Sequence, residues 1–198
     1  MIFDLEKNSS INEHYKLMAQ TIIPRPIAWV VTEDEGVVNI APFSYFIGLS
    51  SEPASVLISV GHKADGTPKD TLANIRKHKK CTICMVDEEN LEKMHFSSKG
   101  VDKDISEAEL FDIKTTKVFD EYPPMIDNVP CAYFCDFNQE IDLGGGNTIP
   151  LVLNLKQIFV KDENVTDKER LTIEFNPVAR IGKSYAFLGE EIAPPVIP

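Results

Sequence analysis

The 198-residue chain is short of positive charge. Its 20 Lys and Arg stand against 31 Asp and Glu, a formal net charge of −11. Such an anionic surface argues against general affinity for nucleic acid or anionic membrane. No apolar run approaches the roughly 20 residues that a bilayer-spanning helix needs. The opening Met1-Ile2-Phe3-Asp4-Leu5-Glu6-Lys7 lacks the basic segment and apolar stretch of a secretory signal, so a cytoplasmic protein is the default expectation. There the four cysteines are expected as reduced thiols. Internal repeats, low-complexity tracts and Ser/Gly linkers are missing too, so residues 1–198 are read as one domain. With 43% hydrophobic and 26% charged residues, a chain of this length can bury a core without disulfides or metals.

Several chemistries lack their signatures. The histidines, at 14, 62, 78 and 95, show no ligand spacing and read as surface or capping residues; His62, beside Lys63, is the one worth testing. Gly144-Gly145-Gly146 has neither the spacing nor the following helix of a dinucleotide fingerprint and reads as a hairpin turn. Cys81 and Cys84, with Cys131 and Cys135 downstream, are a zinc set in principle. They lie in an apolar β-like run without a Gly or Pro knuckle, and residues three apart on a strand point to opposite faces. No helix start follows Cys81, as a thioredoxin-like pair requires. Buried thiols and no metal are therefore expected. No side chain is singled out as nucleophile or general base.

Short strands are what the chain does have. Ile27 to Thr32 is β-branched, aromatic and uncharged, as a buried strand is. Glu33-Asp34-Glu35-Gly36 is a turn returning into Val37 to Ala41. Further strands are expected at Ser55 to Val60, Thr82 to Val86, Ala132 to Asn138, Ile149 to Leu155 and Ile158 to Lys161. Helices are fewer: Glu13 to Gln20, one from Asp70 or Thr71 to about Lys79, a start at Leu91, and a capping-box pattern at Ser106-Glu107-Ala108-Glu109. Many short strands with few short helices indicate a mainly β protein, a β-barrel with helical additions.

Charge is unevenly spread. The acidic excess lies largely in 87–121 and 161–174. Val60 to Lys80 instead carries six basic residues against Asp65 and Asp70, a local balance of +4, and a phosphate-bearing ligand is sought there first. Three motifs stand out. Pro24-Arg25-Pro26 leads into the Trp29 strand and on to Asn39-Ile40-Ala41-Pro42-Phe43-Ser44-Tyr45-Phe46. Its small residues and free amides suit a flat aromatic ligand. Lys69-Asp70-Thr71 puts a cation and a hydroxyl at a helix start, where amides and dipole favour phosphate. Arg180-Ile181-Gly182-Lys183-Ser184-Tyr185 offers an arginine and a tyrosine to a cofactor or partner. Taken singly, each has a favoured plain reading: a proline-bent strand, a capped helix, a solvated turn.

Taken together and in order, these sets resemble the flavin reductase-like family, whose fold is the FMN-binding split barrel, and in particular its longer, flavoredoxin-like branch. Ser106-Glu107 with Leu110 and Tyr122-Pro123-Pro124-Met125-Ile126 add to the resemblance, which covers nearly the whole chain. It implies an FMN-binding oxidoreductase, with NAD(P)H as the possible electron donor. The alternative is a non-catalytic FMN electron carrier. It implies a homodimer with flavin near the subunit interface, and a possible redox partner protein. Arg25, Pro26, Trp29 and Thr32 are then expected to border the FMN. Asn39, Ala41, Pro42, Ser44 and Tyr45 are expected against the isoalloxazine rim. Ser59, Lys69, Asp70 and Thr71 are expected near the ribityl chain and phosphate. Arg180 and the residues after it are assigned to the cofactor or the neighbouring subunit. Reduction places negative charge on the ring, and Arg25 or backbone amides are the candidates to stabilise it.

Overall fold

The computed structural model describes residues 1–7 and 10–197; Pro198, the last of the prolines in Ala193-Pro194-Pro195-Val196-Ile197-Pro198, lies outside them. Helix α1 (Ile11–Thr21) starts two residues ahead of expectation. The Ser10 hydroxyl accepts from the Glu13 amide, and the Glu13 carboxylate accepts from the Ser10 amide, which satisfies two orphan N–H groups at once. Strands β1 (Arg25–Pro26), β2 (Ala28–Asp34) and β3 (Val37–Phe43) follow. Glu35 and Gly36 between them have φ of 50° and 84°, a two-residue turn whose twist suits a hairpin. Because the turn is this tight, β2 runs on to Asp34.

Next come β4 (Phe46–Ser51), β5 (Ala54–Gly61), α2 (Asp70–His78), β6 (Lys80–Cys84), α3 (Leu91–Phe96) and α4 (Glu107–Leu110). The rest of the chain gives β7 (Thr115–Thr116), β8 (Met125–Ile126), β9 (Cys131–Glu140), β10 (Thr148–Val160), β11 (Val165–Asp167), β12 (Thr172–Ile173), β13 (Ala179–Ile181) and β14 (Ser184–Ala186). Seven strands form one antiparallel sheet in the order β3-β2-β6-β9-β10-β5-β4. β3 and β4 adjoin in sequence yet end the sheet on opposite sides. β3 packs beside β5 without a ladder, so the sheet curls into a barrel split along that seam.

Alternation along the strands separates two cores. Val30, Ile58, Ile83 and Leu151 fill the inner one, with Leu72 and Ile75 of α2 packed among them. Trp29, Ile40, Met94, Ile126 and Phe134 build the outer one. Cys81 belongs to the inner cluster and Cys84 to the outer, the opposite faces that their spacing demands. All four cysteines are free and buried. Burial pushes Cys84 up to about 12 and Cys131 up to about 11.

Four sequence expectations change. The strands expected at 149–155 and 158–161 are one, β10. A register shift between Leu155 and Gln157 bulges the chain and turns Phe159 to the outer core while Leu151 and Leu153 face the inner. β4 was not foreseen; it is an edge strand whose residues beyond Phe46 are exposed. The cap position of α2 falls on Lys69, with no side-chain cap. Ser106 and Glu107 do not cap α4 but bond to β3: the Ser106 hydroxyl donates to the Val38 carbonyl at 2.7 Å and Glu107 accepts from the Ile40 amide at 2.9 Å. No helix among the described residues is long and apolar enough to cross a membrane.

Candidate functional site

Two adjoining clefts meet along the last residues of β3 and share Ser98. The first, of ≈ 150 Å³, lies between β3, the start of α2 and the loop after α3. Asn39, Ala41, Lys69, Asp70 and Thr71 border it, joined by Lys63, Ser98, Lys99 and Glu107. The second, of ≈ 190 Å³, mixes apolar, aromatic and polar groups: Ile27, Pro42, Met94, Tyr15 and Tyr185 line it with Ser44, His95 and Arg180.

The first cleft gathers three lysines and a helix start. With α2 uncapped by any side chain, its first amides are unused by the helix, and the dipole adds partial positive charge. Lys69 and Lys99 make no ion pair among the described residues. Asp70 pairs with Lys63 at 2.9 Å and so fixes that cation. A buried polar network holds the walls in place: the Asn39 amide donates to the hydroxyls of Thr32 (3.2 Å) and Thr71 (3.0 Å), and Asn74 donates to Thr32 at 3.1 Å. Glu107 is the acidic residue of the lining that makes no ion pair among the described residues. Its side chain is buried, which raises its pKa, an effect the Ile40 amide partly offsets.

The loop after α3 is positioned from below. The Trp29 Nε1–H donates to the Ser97 hydroxyl at 2.8 Å, which in turn donates to the Met94 carbonyl. The Ser97 hydroxyl is thereby spent on the fold, and Ser98, Lys99, Gly100 and Val101 line the cleft beside it. Sequence reasoning passed over Ser97-Ser98-Lys99-Gly100. A run of two hydroxyls, a cation and a glycine beyond a helix was the available signal.

Of the residues expected at the ligand, Asn39, Ala41, Pro42, Ser44, Lys69, Asp70, Thr71 and Arg180 come together around the clefts. Arg180 does so within its own chain, because β13 pairs with β1, Arg180 opposite Arg25. Six others stand elsewhere. Trp29 and Thr32 are wholly buried, one layer behind the cleft. Pro26 is exposed opposite Ala179. Ser59 sits on β5 opposite Pro150, its amide bound to the Tyr45 carbonyl. Tyr45 packs on Tyr15 and Arg25, with its hydroxyl buried and unpartnered among the described residues. Arg25 is buried; its Nη1 donates to the carbonyls of Ala19 and Ile22, both at 2.6 Å, and its Nε to the hydroxyl of the cleft residue Ser44 at 3.5 Å. The guanidinium is therefore tied to the C-terminal end of α1, where a cation suits the dipole.

A family model described as a flavin reductase like domain matches residues 18–171. The chain belongs to that family. An uncharacterised relative from Halalkalibacterium halodurans is 34% identical over 193 residues, covering 91% of this chain and 90% of the relative. The crystal structure of Pseudomonas fluorescens 2-nitrobenzoate 2-nitroreductase NbaA superposes with a TM-score of 0.88 at 27% identity, covering 100% of this chain and 96% of that one. Nitrilotriacetate monooxygenase component B from Bacillus cereus gives 0.89 at 27% identity, with 98% of each chain covered. The mainly β split barrel of this flavin reductase-like chain is thus shared along its full length.

Proposed function

We propose that the paired clefts bind FMN and that the protein is an NAD(P)H-dependent flavin reductase-like oxidoreductase. The observation that carries the reading is the chemical contrast between adjoining clefts. One has three lysines and an uncapped helix start, suited to a phosphate; the other brings Ile27, Pro42, Met94 and the rings of Tyr15 and Tyr185 together with Ser44, His95 and Arg180, suited to a flat ring with a polar rim. The donor set therefore fits FMN. Lys63, Lys69, Lys99 and the α2 amides would hold the phosphate, with Thr71 and Ser98 near the ribityl chain. Pro42, Ser44 and Tyr185 would border the ring. When bound, FMN supplies the two-electron redox centre. The protein's own part is to hold the ring, leave one face open and set the charge around it.

A homodimer with the flavin near its interface is part of this reading. Ile11, Tyr15, Met18 and Ile22 are all exposed along α1 and its C-cap, at spacings that make one apolar stripe. Tyr15 also borders the ring cleft, so a subunit covering that stripe lies beside the flavin. Ile47 and Leu49 of β4 are exposed apolar residues as well. A cytoplasmic setting belongs to the same reading, since four buried free thiols suit a reducing compartment.

The test is an absorbance spectrum of the purified protein, with added FMN if needed, followed by anaerobic titration with NADH and NADPH. Bleaching of bound flavin by either nucleotide supports the oxidoreductase. Flavin that binds but is never bleached makes the protein a carrier fed by a redox partner. A protein that refuses FMN at millimolar concentration ends the proposal. Nitroaromatic acids belong among the acceptors assayed, on the strength of the Pseudomonas neighbour.

A further inference from the structure

Two arginines stand side by side on β1 and β13, and they have different fates. Arg25 and Arg180 are directly opposite in the ladder, and Tyr185 of β14 is opposite Arg180 in turn. The three side chains therefore share one face of the small sheet. Like charges at this spacing repel unless each is offset. Arg25 is offset by the carbonyls ending α1. Arg180 has no such compensation: among the described residues its side chain makes neither an ion pair nor a hydrogen bond. It is nonetheless fixed, because its guanidinium lies over the Tyr185 ring at 4.7 Å from the centroid. The Tyr185 hydroxyl is held in turn by His95 Nδ1 at 2.8 Å, and the His95 ring meets the tyrosine edge-on at 5.7 Å. Tyr185 and His95, from two distant segments, thus hold one uncompensated cation at the second cleft of a chain with net charge −11.

We propose that Arg180 is the cation that favours the reduced over the oxidised flavin, with Tyr185 and His95 as its positioning residues. The inference rests on the FMN reading above. Two electrons and one proton convert the neutral oxidised ring into a reduced ring of charge −1. A fixed cation at the ring end binds that product better than the starting form, and only such differential binding shifts the potential. Arg25, the sequence-level candidate for this part, is withdrawn from it by its own hydrogen bonds.

The experiment compares the wild type, Arg180→Gln, Arg180→Lys and Tyr185→Leu, each loaded with FMN. The midpoint potential is measured anaerobically by enzymatic reduction against a reference dye, and the affinity for oxidised FMN by fluorescence titration. Arg180→Gln is expected to keep oxidised-FMN affinity within about threefold. Its preference for reduced over oxidised ring should fall about tenfold, a drop of about 30 mV for a two-electron couple. Arg180→Lys restores at least half of the drop. Tyr185→Leu, which frees the guanidinium, lowers the potential in the same direction. An unchanged potential in Arg180→Gln with FMN bound overturns the inference. So does an equal loss of oxidised and reduced affinity, since Arg180 is then a plain binding residue. A wild type that takes up no FMN overturns the functional reading itself, and does so before any variant is made.

Discussion

Replacing Glu107 with glutamine is expected to tighten FMN binding. The carboxylate is buried at 5% exposure, borders the lysine-lined cleft and accepts from the Ile40 amide at 2.9 Å. Glutamine keeps an acceptor for that amide and removes the charge. For two unit charges roughly 7 Å apart at an effective dielectric near 20, the repulsion is about 2 kcal/mol. Solvent at the cleft mouth reduces this, so the gain is about 1–2 kcal/mol, or roughly five- to thirtyfold in Kd. Trp29, the single tryptophan, is bonded to the Ser97 hydroxyl behind the cleft, and quenching of its emission reports the titration. Stability gives a second readout with a definite sign. Burial raises the Glu107 pKa above its ordinary 4.5. The wild type therefore has this group's full stability below that value and loses it as pH rises through the folded pKa. The glutamine variant escapes that loss. Its advantage in urea unfolding should grow as pH climbs past the ordinary carboxyl value, and then level off. Weaker FMN binding in Glu107→Gln would refute the reasoning, because the carboxylate would then be accepting a hydrogen bond from the ligand.

Three other perturbations separate roles that the fold has divided. Lys69→Ala with Thr71→Ala should weaken FMN by on the order of 2–4 kcal/mol if both serve a phosphate, and an unchanged flavin titration would reject that assignment. Arg25→Met keeps most of the apolar stem but loses two bonds to the end of α1; after relief of guanidinium desolvation, about 2–4 kcal/mol of unfolding free energy should go. A shift of flavin potential without that loss would instead restore Arg25 as the ring's cation. Cys84→Ser places a hydroxyl in the outer core, where the Ile126 amide now donates to sulfur at 3.4 Å. It should cost about 1–2 kcal/mol in urea unfolding, with flavin content per folded protein unchanged.

Family, strand-rich architecture and the basic stretch at the start of α2 were legible in the residues alone. Each is a local property: β-branched runs, a Glu35-Gly36 turn, a basic stretch, a cation at a helix start. The fate of the C-x-x-C pair was legible for the same reason, because strand geometry already separates Cys81 from Cys84. β4 gave no such signal, since an edge strand with one face in solvent needs little apolar periodicity. The strands from β11 to β14 are two or three residues long, shorter than any pattern can register, and exist because a neighbouring strand supplies their hydrogen bonds. Tertiary structure alone decided which arginine is spent and which is free. Arg25 and Arg180 look alike as residues, and only the carbonyls ending α1 and the ring of Tyr185 tell them apart. It likewise sent Glu107 to β3 rather than to its own helix, and tied the Ser97 hydroxyl to Trp29. A charge or a hydroxyl acts on whatever lies within a few ångströms, and those neighbours come from segments tens of residues away.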